Sequence, residues 1–573
     1  MDRKYLIFIA LAVLVLIAGS GSDAATTQDK VDGLSQEILE SLESFYPVMA
    51  TERGNHAFDH RLADYSSKSV SNMTKKLSGF IKDLHKYRDA DLGTDGSINY
   101  RLIRSNVEIA LMDLKHVKWY TKSPQLYVDE AVNGLYFLML SQHAPMSEKL
   151  YSVIARMKAV PDLFATARKN LRKPPPVYVD LAQESLESAQ QFYKEVSGSL
   201  MREFPERADE ISGVATRARE AMNDFAVYLT GIEQGEPTSF ALGKDNFDYL
   251  LQHHYFLTID CDSLLTIGES LLAETRAAYM DYRDYVEANY QNGRDSVFVP
   301  AVFTRDDILN YYQWETDQVK LFLTLNDILT VPEDIAPLKV VETPPFLRSM
   351  VGGIAYQPAG PFDSNQVGLF YLRPVPEDLD RRQLEARYRY VHRRGFKGSV
   401  VHEGFPGHHL QMQIAGMNPN PVRKWQHNAM MVEGWALYCE EMMYRAGLFG
   451  EEDPVQWLAI LGGQMYRAAR IVADVKLHTG QFTYEECVDW MTETLFAETE
   501  ADKNYHRTMV RKYTLTPGNW MAYLMGKREI EHLYDAAVER DGAEFVEQDF
   551  YDALLEQGSI PPTLIGEALG LQP

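Results

Sequence analysis

Apolar residues recur at spacings of three and four from about residue 30 to residue 290, as Ile38, Leu42 and Phe45 illustrate. This period places apolar side chains on one face of a helix, so the first half of the chain is predicted to be a succession of helices. A long, charged helix is expected over 264–290. Breaks are predicted at three stretches rich in Gly, Pro and Ser, at 93–97, 173–177 and 235–239.

The pattern changes after residue 330. The stretch 331–346 contains too many prolines for one helix. Two extended segments, 354–357 and 367–373, flank a polar turn and predict a small β element near 351–376. Helical patterning resumes at about 377. We therefore expect a mainly α fold in one mostly helical domain over 25–573, comprising an N-terminal helical half, 25–330, and a second half, 331–573.

The N-terminus has the layout of a secretory signal. Asp2-Arg3-Lys4 precedes an apolar run from Tyr5 to Ala18, and small residues follow. We expect cleavage after Ala24, giving a signal peptide over 1–24 and an exported protein, periplasmic or extracellular. The apolar run is shorter than the ~20 residues that span a bilayer, although an uncleaved anchor is the alternative. Ser20 stands where a lipidated cysteine would be, so no lipid anchor is expected.

Charge and cysteine content exclude several classes of function. The net charge of −24 repels phosphate backbones and argues against nucleic-acid partners. Three scattered cysteines provide neither a disulfide framework nor a cysteine-based zinc site. A metal, if bound, would be held by His and Glu. The sequence does not indicate an oligomeric state.

The stretch 401-VHEGFPGHHLQ-411 begins like the H-E-x-x-H zinc helix but has Pro406 at the second histidine position. Proline and Gly407 predict a break in the helix between 404 and 407. On an ideal helix, His402 and His408 would point about 120° apart around the axis. His408 can face His402 only if the break accommodates two extra residues. His409 lies on the face of His402 but about 10 Å along the axis, and is the competing ligand. A polar, helix-capping histidine cluster is the alternative to a metal site.

A second helix is predicted over 429–449, ending at Gly447. Glu433 lies early in it among apolar neighbours, where a carboxylate is costly to bury without a cation. Glu440 lies seven residues later on the same face and could orient a ligand histidine. A solvated helix surface is the alternative for Glu440.

The segments HEGFPGHHLQ and VEGWALYCEEM resemble the bacterial family named domain of unknown function 885. That family is similar to gluzincin zinc metallopeptidases of the thimet oligopeptidase and thermostable carboxypeptidase kind. Gly407-His408-x-Leu410 resembles the end of their zinc helix, which favours His408 over His409, and Val432-Glu433 resembles the pair that carries their third ligand. Dipeptidyl peptidase three has a related zinc motif that is one residue longer than H-E-x-x-H. The present sequence has two additional residues between the histidines. The resemblance covers roughly 340–540 and implies a large multi-helix, metallopeptidase-like fold with a deep cleft.

Further polar residues extend the candidate site. Arg470, Asp474 and His478 recur at steps of four and are expected to line a cleft, unless they form a surface network of ion pairs. The segment 513–530 resembles the P-G-Q…S-Y-x-x-G segment of the domain-of-unknown-function family, with Asn519 and Ala522 as departures. In the related peptidases, the corresponding region supplies an oxyanion-binding tyrosine. Tyr523 is the first candidate for that role and Tyr513 the second. Arg373 ends the second extended segment and could pair with a substrate carboxylate, with Arg348 and Arg470 as rivals.

These observations predict an exported hydrolase of peptide bonds that uses one zinc ion per chain. His402, His408 and Glu433 are the expected ligands, and Glu403 the expected general base for a metal-activated water. Tyr523 is expected to stabilise the oxyanion. Two other functions stay open: a hydrolase of non-peptide amides or esters, and a metal-free protein that binds peptides or cell-envelope material.

Overall fold

A computed structural model of the chain describes residues 26–290, 304–344, 354–372, 376, 378–386, 396–450, 453–496 and 499–571. The expected signal peptide and the candidate arginines Arg348 and Arg373 lie outside the described residues.

The first half of the chain is helical, as its apolar period predicts. The predicted breaks lie at or beside gaps between consecutive helices, and the long helix expected over 264–290 is observed as Cys261–Asn289. The helices are α1 (Thr27–Phe45), α2 (Pro47–Glu52), α3 (Ser67–Leu84), α4 (Thr94–Leu111), α5 (Trp119–Lys122), α6 (Pro124–Leu140), α7 (Met146–Asn170), α8 (Pro176–Glu203), α9 (Ala208–Thr230), α10 (Lys244–His253), α11 (Cys261–Asn289) and α12 (Arg305–Leu325).

Helices also dominate the second half after a short β element. The helix predicted to end at Gly447 ends at Arg445. The helices are α13 (Phe396–Glu403), α14 (His408–Met417), α15 (Pro421–Trp425), α16 (Ala429–Arg445), α17 (Pro454–His478), α18 (Tyr484–Thr494), α19 (Glu500–Leu515), α20 (Ala522–Asp541), α21 (Glu547–Glu556) and α22 (Pro562–Ala568).

The two predicted extended segments form the antiparallel pair β2 (Ala355–Gln357) and β3 (Gly368–Leu372). The sequence did not predict their neighbour β1 (Leu338–Glu342), which pairs with β3 in parallel. The strand order β1-β3-β2 makes β3 the central strand. Its residues Phe370, Tyr371 and Leu372 are buried, so the sheet packs into the protein rather than lying on its surface.

One hydrophobic core contains residues from both halves of the chain. It joins Leu135 and Phe192 of the N-terminal helices to Phe370, Val400 and Trp435 of the second half. The packing of the described residues therefore shows no boundary between the two halves. Among these residues, none of the helices has the length and apolarity needed to cross a bilayer.

Helices α16 and α20 pack backbone against backbone through two glycines. A Cβ atom on Gly526 would lie 2.0 Å from the Met430 carbonyl oxygen, and one on Gly434 would lie 2.5 Å from the Gly526 carbonyl carbon. Because these neighbours are backbone atoms, a side chain at either position would force the helices apart. The two glycines thus fix the separation of the helices that carry Glu433 and Tyr523.

We predict that Gly526→Ala lowers the free energy of unfolding by about 1–3 kcal/mol or more, because the added methyl group meets backbone. Gly33→Ala is the matched control, since nothing lies within 4 Å of a Cβ atom at Gly33 of α1. That change should stabilise the helix by about 0.5–1 kcal/mol. Urea unfolding of both variants measures the difference. Equal stabilities would show that the helices are not held at contact distance.

Candidate metal centre

The zinc-helix motif is interrupted between α13 and α14, where the sequence predicts a break. The Gly407 amide donates to the Val401 carbonyl at 3.0 Å, and the Leu410 amide donates to the Gly404 carbonyl at 3.2 Å. Each bond spans six residues instead of the usual four, so the backbone takes up two extra residues. A Cβ atom on Gly407 would lie 2.0 Å from the His402 carbonyl oxygen, which restricts this position to glycine.

This break brings His408 to face His402 and Glu433. The Glu433 Oε2 atom lies 3.5 Å from His408 Nε2 and 3.8 Å from His402 Nε2. The two imidazole rings are nearly perpendicular, at 83°. Donors held in a tetrahedron around zinc at ordinary bond lengths lie about 3.4 Å apart. Two imidazoles and one carboxylate at these separations fit a zinc ion in both composition and spacing.

The second nitrogen of His402 is held by a carboxylate. His402 Nδ1 lies 2.9 Å from Glu440 Oε1, and Arg467 donates to the same oxygen at 3.4 Å. Burial lowers the pKa of His402, but hydrogen bonds to Glu433 and Glu440 outweigh it and raise that pKa to about 10. Burial likewise opposes ionisation of Glu433, but His408 and His402 hold its pKa well below the usual range. Glu440 therefore orients His402, as its position on the helix face suggested.

His409 points away from this cluster, whereas His408 faces it. Its Nε2–H donates to the Ala336 carbonyl at 2.9 Å, so Nδ1 accepts from the Tyr356 hydroxyl at 3.1 Å. Burial lowers the pKa of His409 to about 4, so the ring is neutral. His409 attaches α14 to the sheet and is not placed to bind the same metal.

Glu403 ends α13 beside His402 and is half-buried. In the described part of the chain, its carboxylate makes no hydrogen bond and no ion pair, so both oxygens lack a competing partner there. Its negative charge adds to the effect of burial in raising the pKa of Tyr356 on β2. The β element thus lies beside the candidate general base.

Tyr523 lies next to Glu433 from the facing helix α20. Burial, followed by the nearby charge of Glu433, raises the pKa of Tyr523, so its hydroxyl keeps its proton. The Arg470 guanidinium lies 4.9 Å from the Tyr523 ring centroid and 5.0 Å from that of Trp520. Tyr513 is buried and accepts from Arg470 Nε at 3.2 Å. The geometry therefore favours Tyr523 over Tyr513 as a donor near the cluster.

The expectation that Asp474 and His478 line a cleft is wrong. Both are fully buried, at 0% exposure. Asp474 accepts from the amides of Gly518, Trp520 and Met521, and so fixes the turn that leads into α20. His478 Nε2 bonds to the Tyr513 carbonyl at 2.9 Å. Their spacing correctly predicted a shared helix face, but that face is covered by the turn before Tyr523.

Sequence reasoning missed Arg467, Tyr356 and His427. Arg467 lies one helical turn before Arg470, so extending the polar stripe of α17 by three residues would have found it. Tyr356 lies in a predicted strand, but its contact with His409 depends on long-range packing. His427 lines a cavity of about 140 Å³ together with Arg53 and Lys424.

The fold and the site define a mainly helical protein with a two-histidine, one-glutamate cluster at a broken helix. Residues 47–569 match the family described as bacterial protein of unknown function, DUF885, and the chain belongs to that family. The match extends well beyond the range 340–540 over which the motifs resemble it. No curated protein matches the chain.

Two solved structures share the fold. One is a predicted lipoprotein of unknown function from Shewanella oneidensis, with a TM-score of 0.74 and 20% identity over 95% of this chain and 100% of that chain. The other is a predicted lipoprotein from Colwellia psychrerythraea, with a TM-score of 0.72 and 17% identity over 95% and 99% of the respective chains. At such low identity the likeness extends to the fold alone.

In chelator-treated protein, Glu440→Gln should lower the pKa of His402 from about 10, because a carboxylate that favours the imidazolium is lost. The raised pKa stabilises the metal-free fold fully below the ordinary value of 6.5, and this stabilisation is lost as pH rises through about 10. Histidine NMR titration measures the change. Glu441→Gln is the matched control, because Glu441 pairs with Arg445 and Lys527 instead. Equal pKa values in the two variants would exclude the role of Glu440.

Proposed function

We propose that the protein is an exported, zinc-dependent hydrolase of peptide bonds. The observation that carries this proposal is the approach of two imidazole Nε2 atoms to one Glu433 oxygen, with Glu403, unpaired among the described residues, following His402. The similarity of the motifs to gluzincin metallopeptidases supports the same reaction class. Export is supported by the pattern of residues 1–24 and by the description of two structural neighbours as lipoproteins.

His402, His408 and Glu433 would hold the zinc ion, and Glu440 would keep the Nδ1 proton of His402 so that Nε2 presents its lone pair. Zinc would supply a Lewis acid that polarises a carbonyl group and makes water a stronger acid. Glu403 takes the proton of the attacking water and returns it to the leaving amine. Taking up and returning the proton both require a carboxylate without a competing partner, and Glu403 has none among the described residues.

Tyr523 donates a hydrogen bond to the oxyanion that forms at the scissile carbonyl. Because its pKa is raised, its hydroxyl stays a donor at neutral pH. The surrounding cation–π contacts from Arg470 fix the ring without occupying the hydroxyl. The turn held by Asp474 fixes where α20 begins. It therefore fixes the position of Tyr523 along the helix axis relative to Glu433.

We expect His408→Ala and Glu433→Ala each to bind one zinc ion fewer per chain than the parent protein lacking residues 1–24. Each change removes one of three donors, and the remaining two hold zinc weakly. His409→Ala is the matched control and should keep the parent zinc content, because its nitrogens face Ala336 and Tyr356. Zinc is counted by atomic emission after dialysis. If the unmutated protein lacking residues 1–24 binds no zinc at His402, His408 and Glu433, the result would point to a metal-free binding protein.

Glu403→Gln should keep the zinc and lower kcat toward peptides by about 10²–10⁴-fold, because an amide cannot accept the proton. Tyr523→Phe should lower kcat by about 10²–10³-fold through loss of an oxyanion donor. Tyr513→Phe should change kcat less, since its hydroxyl bonds to Tyr466 and Arg470.

The substrate panel compares free and end-blocked peptides with amide and ester substrates that lack a peptide bond. Hydrolysis of peptides alone supports the proposal. Cleavage only of the non-peptide substrates would contradict it while leaving the site hydrolytic.

A further inference from the structure

A second cluster of metal-binding residue types lies in the N-terminal half, apart from the candidate centre. His56 and Asp59 follow α2, and His143 lies in the connection between α6 and α7. Asp59 Oδ2 is 3.0 Å from His56 Nδ1 and 4.0 Å from His143 Nε2. One nitrogen or oxygen from each residue lies within 4.8 Å of the other two. The separations bracket those expected for donors around one zinc ion.

The polar atoms of these three side chains that do not face one another each have a hydrogen-bond partner outside the cluster. His56 Nε2 lies 2.7 Å from Asp363 Oδ1, and His143 Nδ1 lies 2.6 Å from the Ser141 hydroxyl. Asp59 Oδ1 accepts from the Thr51 hydroxyl at 2.7 Å. Metal-ligating histidines usually donate their second N–H to a carboxylate or another oxygen. This arrangement fixes which atoms face inward, as Glu440 does for His402.

The cluster also satisfies the charge and access requirements of a cation site. Asp59 and Asp363 together carry the charge that balances a dication. The side chains of His56 and His143 are each 20% exposed, so water can reach the cluster and complete a coordination shell. Two imidazoles and a carboxylate suit zinc and related transition metals better than calcium or magnesium.

The two imidazole rings stack with centroids 3.4 Å apart and 15° between their planes. Lone pairs of stacked rings run parallel, so one cation can be shared only if the rings tilt apart. Residues 141–145 lie outside regular helix, so tilting the His143 ring does not require a helix to move.

We propose that His56, Asp59 and His143 form a second transition-metal site, with Asp363 as the positioning residue for His56. The bound cation joins α2, the α6–α7 connection and, through Asp363, the segment between β2 and β3. Its role is to fix the N-terminal helices against the β element that contacts His409. The proposal stands whether or not the first centre is catalytic.

The test counts zinc in the His408→Ala protein, in which the first centre is disabled. We expect one zinc ion per chain there, lost when His143→Gln is added. Asp363→Asn should weaken zinc binding about 10–100-fold in the same background, because the outer carboxylate is lost. Adding zinc should raise the Tm of the His408→Ala protein but not that of the double variant, since only the former binds it.

His116→Ala is the control for adventitious binding to histidine, because His116 is exposed and outside the cluster. Circular dichroism of the metal-free proteins shows whether each variant is folded. The proposal is overturned if folded His408→Ala protein binds no zinc, or if its zinc is unaffected by His143→Gln. The cluster would then be a metal-free ion-pair network in which a protonated His56 bridges Asp59 and Asp363.

Discussion

The candidate centre depends on how the backbone passes Pro406. A regular helix would leave His402 and His408 about 120° apart, and no side-chain rotation corrects such a difference. The hydrogen bonds that span six residues remove it, and they require Gly407 because a Cβ atom would meet the His402 carbonyl. Trp435 of α16 donates to the Pro406 carbonyl at 2.8 Å, so the helix that carries Glu433 also fixes the break. The arrangement of the candidate ligands His402, His408 and Glu433 therefore depends on how α16 packs against the break between α13 and α14.

The position of Tyr523 depends on a second set of close contacts. Glycine contacts at Gly434 and Gly526 set the distance between α16 and α20, and Asp474 sets where α20 begins. Burial raises the pKa of Asp474 to about 7, although three backbone amides lower it, so holding this turn ties up a carboxylate that is costly to bury. A buried carboxylate held at such a cost indicates that the position of this turn is important to the structure. The turn leads directly to Tyr523, which lies beside Glu433.

The spacing of neighbouring residues in the sequence correctly predicted the features that depend on short-range interactions. The long helix over 264–290, the strand pair β2–β3 and the break at 404–407 all follow from apolar period or from proline and glycine. What it missed depends on contacts between distant parts of the chain. The strand β1 lies within the proline-rich stretch 331–346 and pairs in parallel with the distant strand β3. The face of Asp474 and His478 was predicted, but its covering turn was not. The cluster of His56 and His143 joins residues from separate helical connections, and no spacing in the sequence indicates it.

Charge balance bears on whether the first cluster is a cation site or a histidine cap. Glu403, Glu433 and Glu440 lie around His402 and His408, and Arg467 is the cation paired with Glu440. Carboxylates in such partly buried surroundings are unfavourable unless positive charge is supplied. In the metal-free protein a proton on His402 supplies it, which is why the pKa of that residue rises to about 10. A divalent cation would supply more charge at the same place and displace that proton, so the excess of carboxylates favours a cation over a capping histidine.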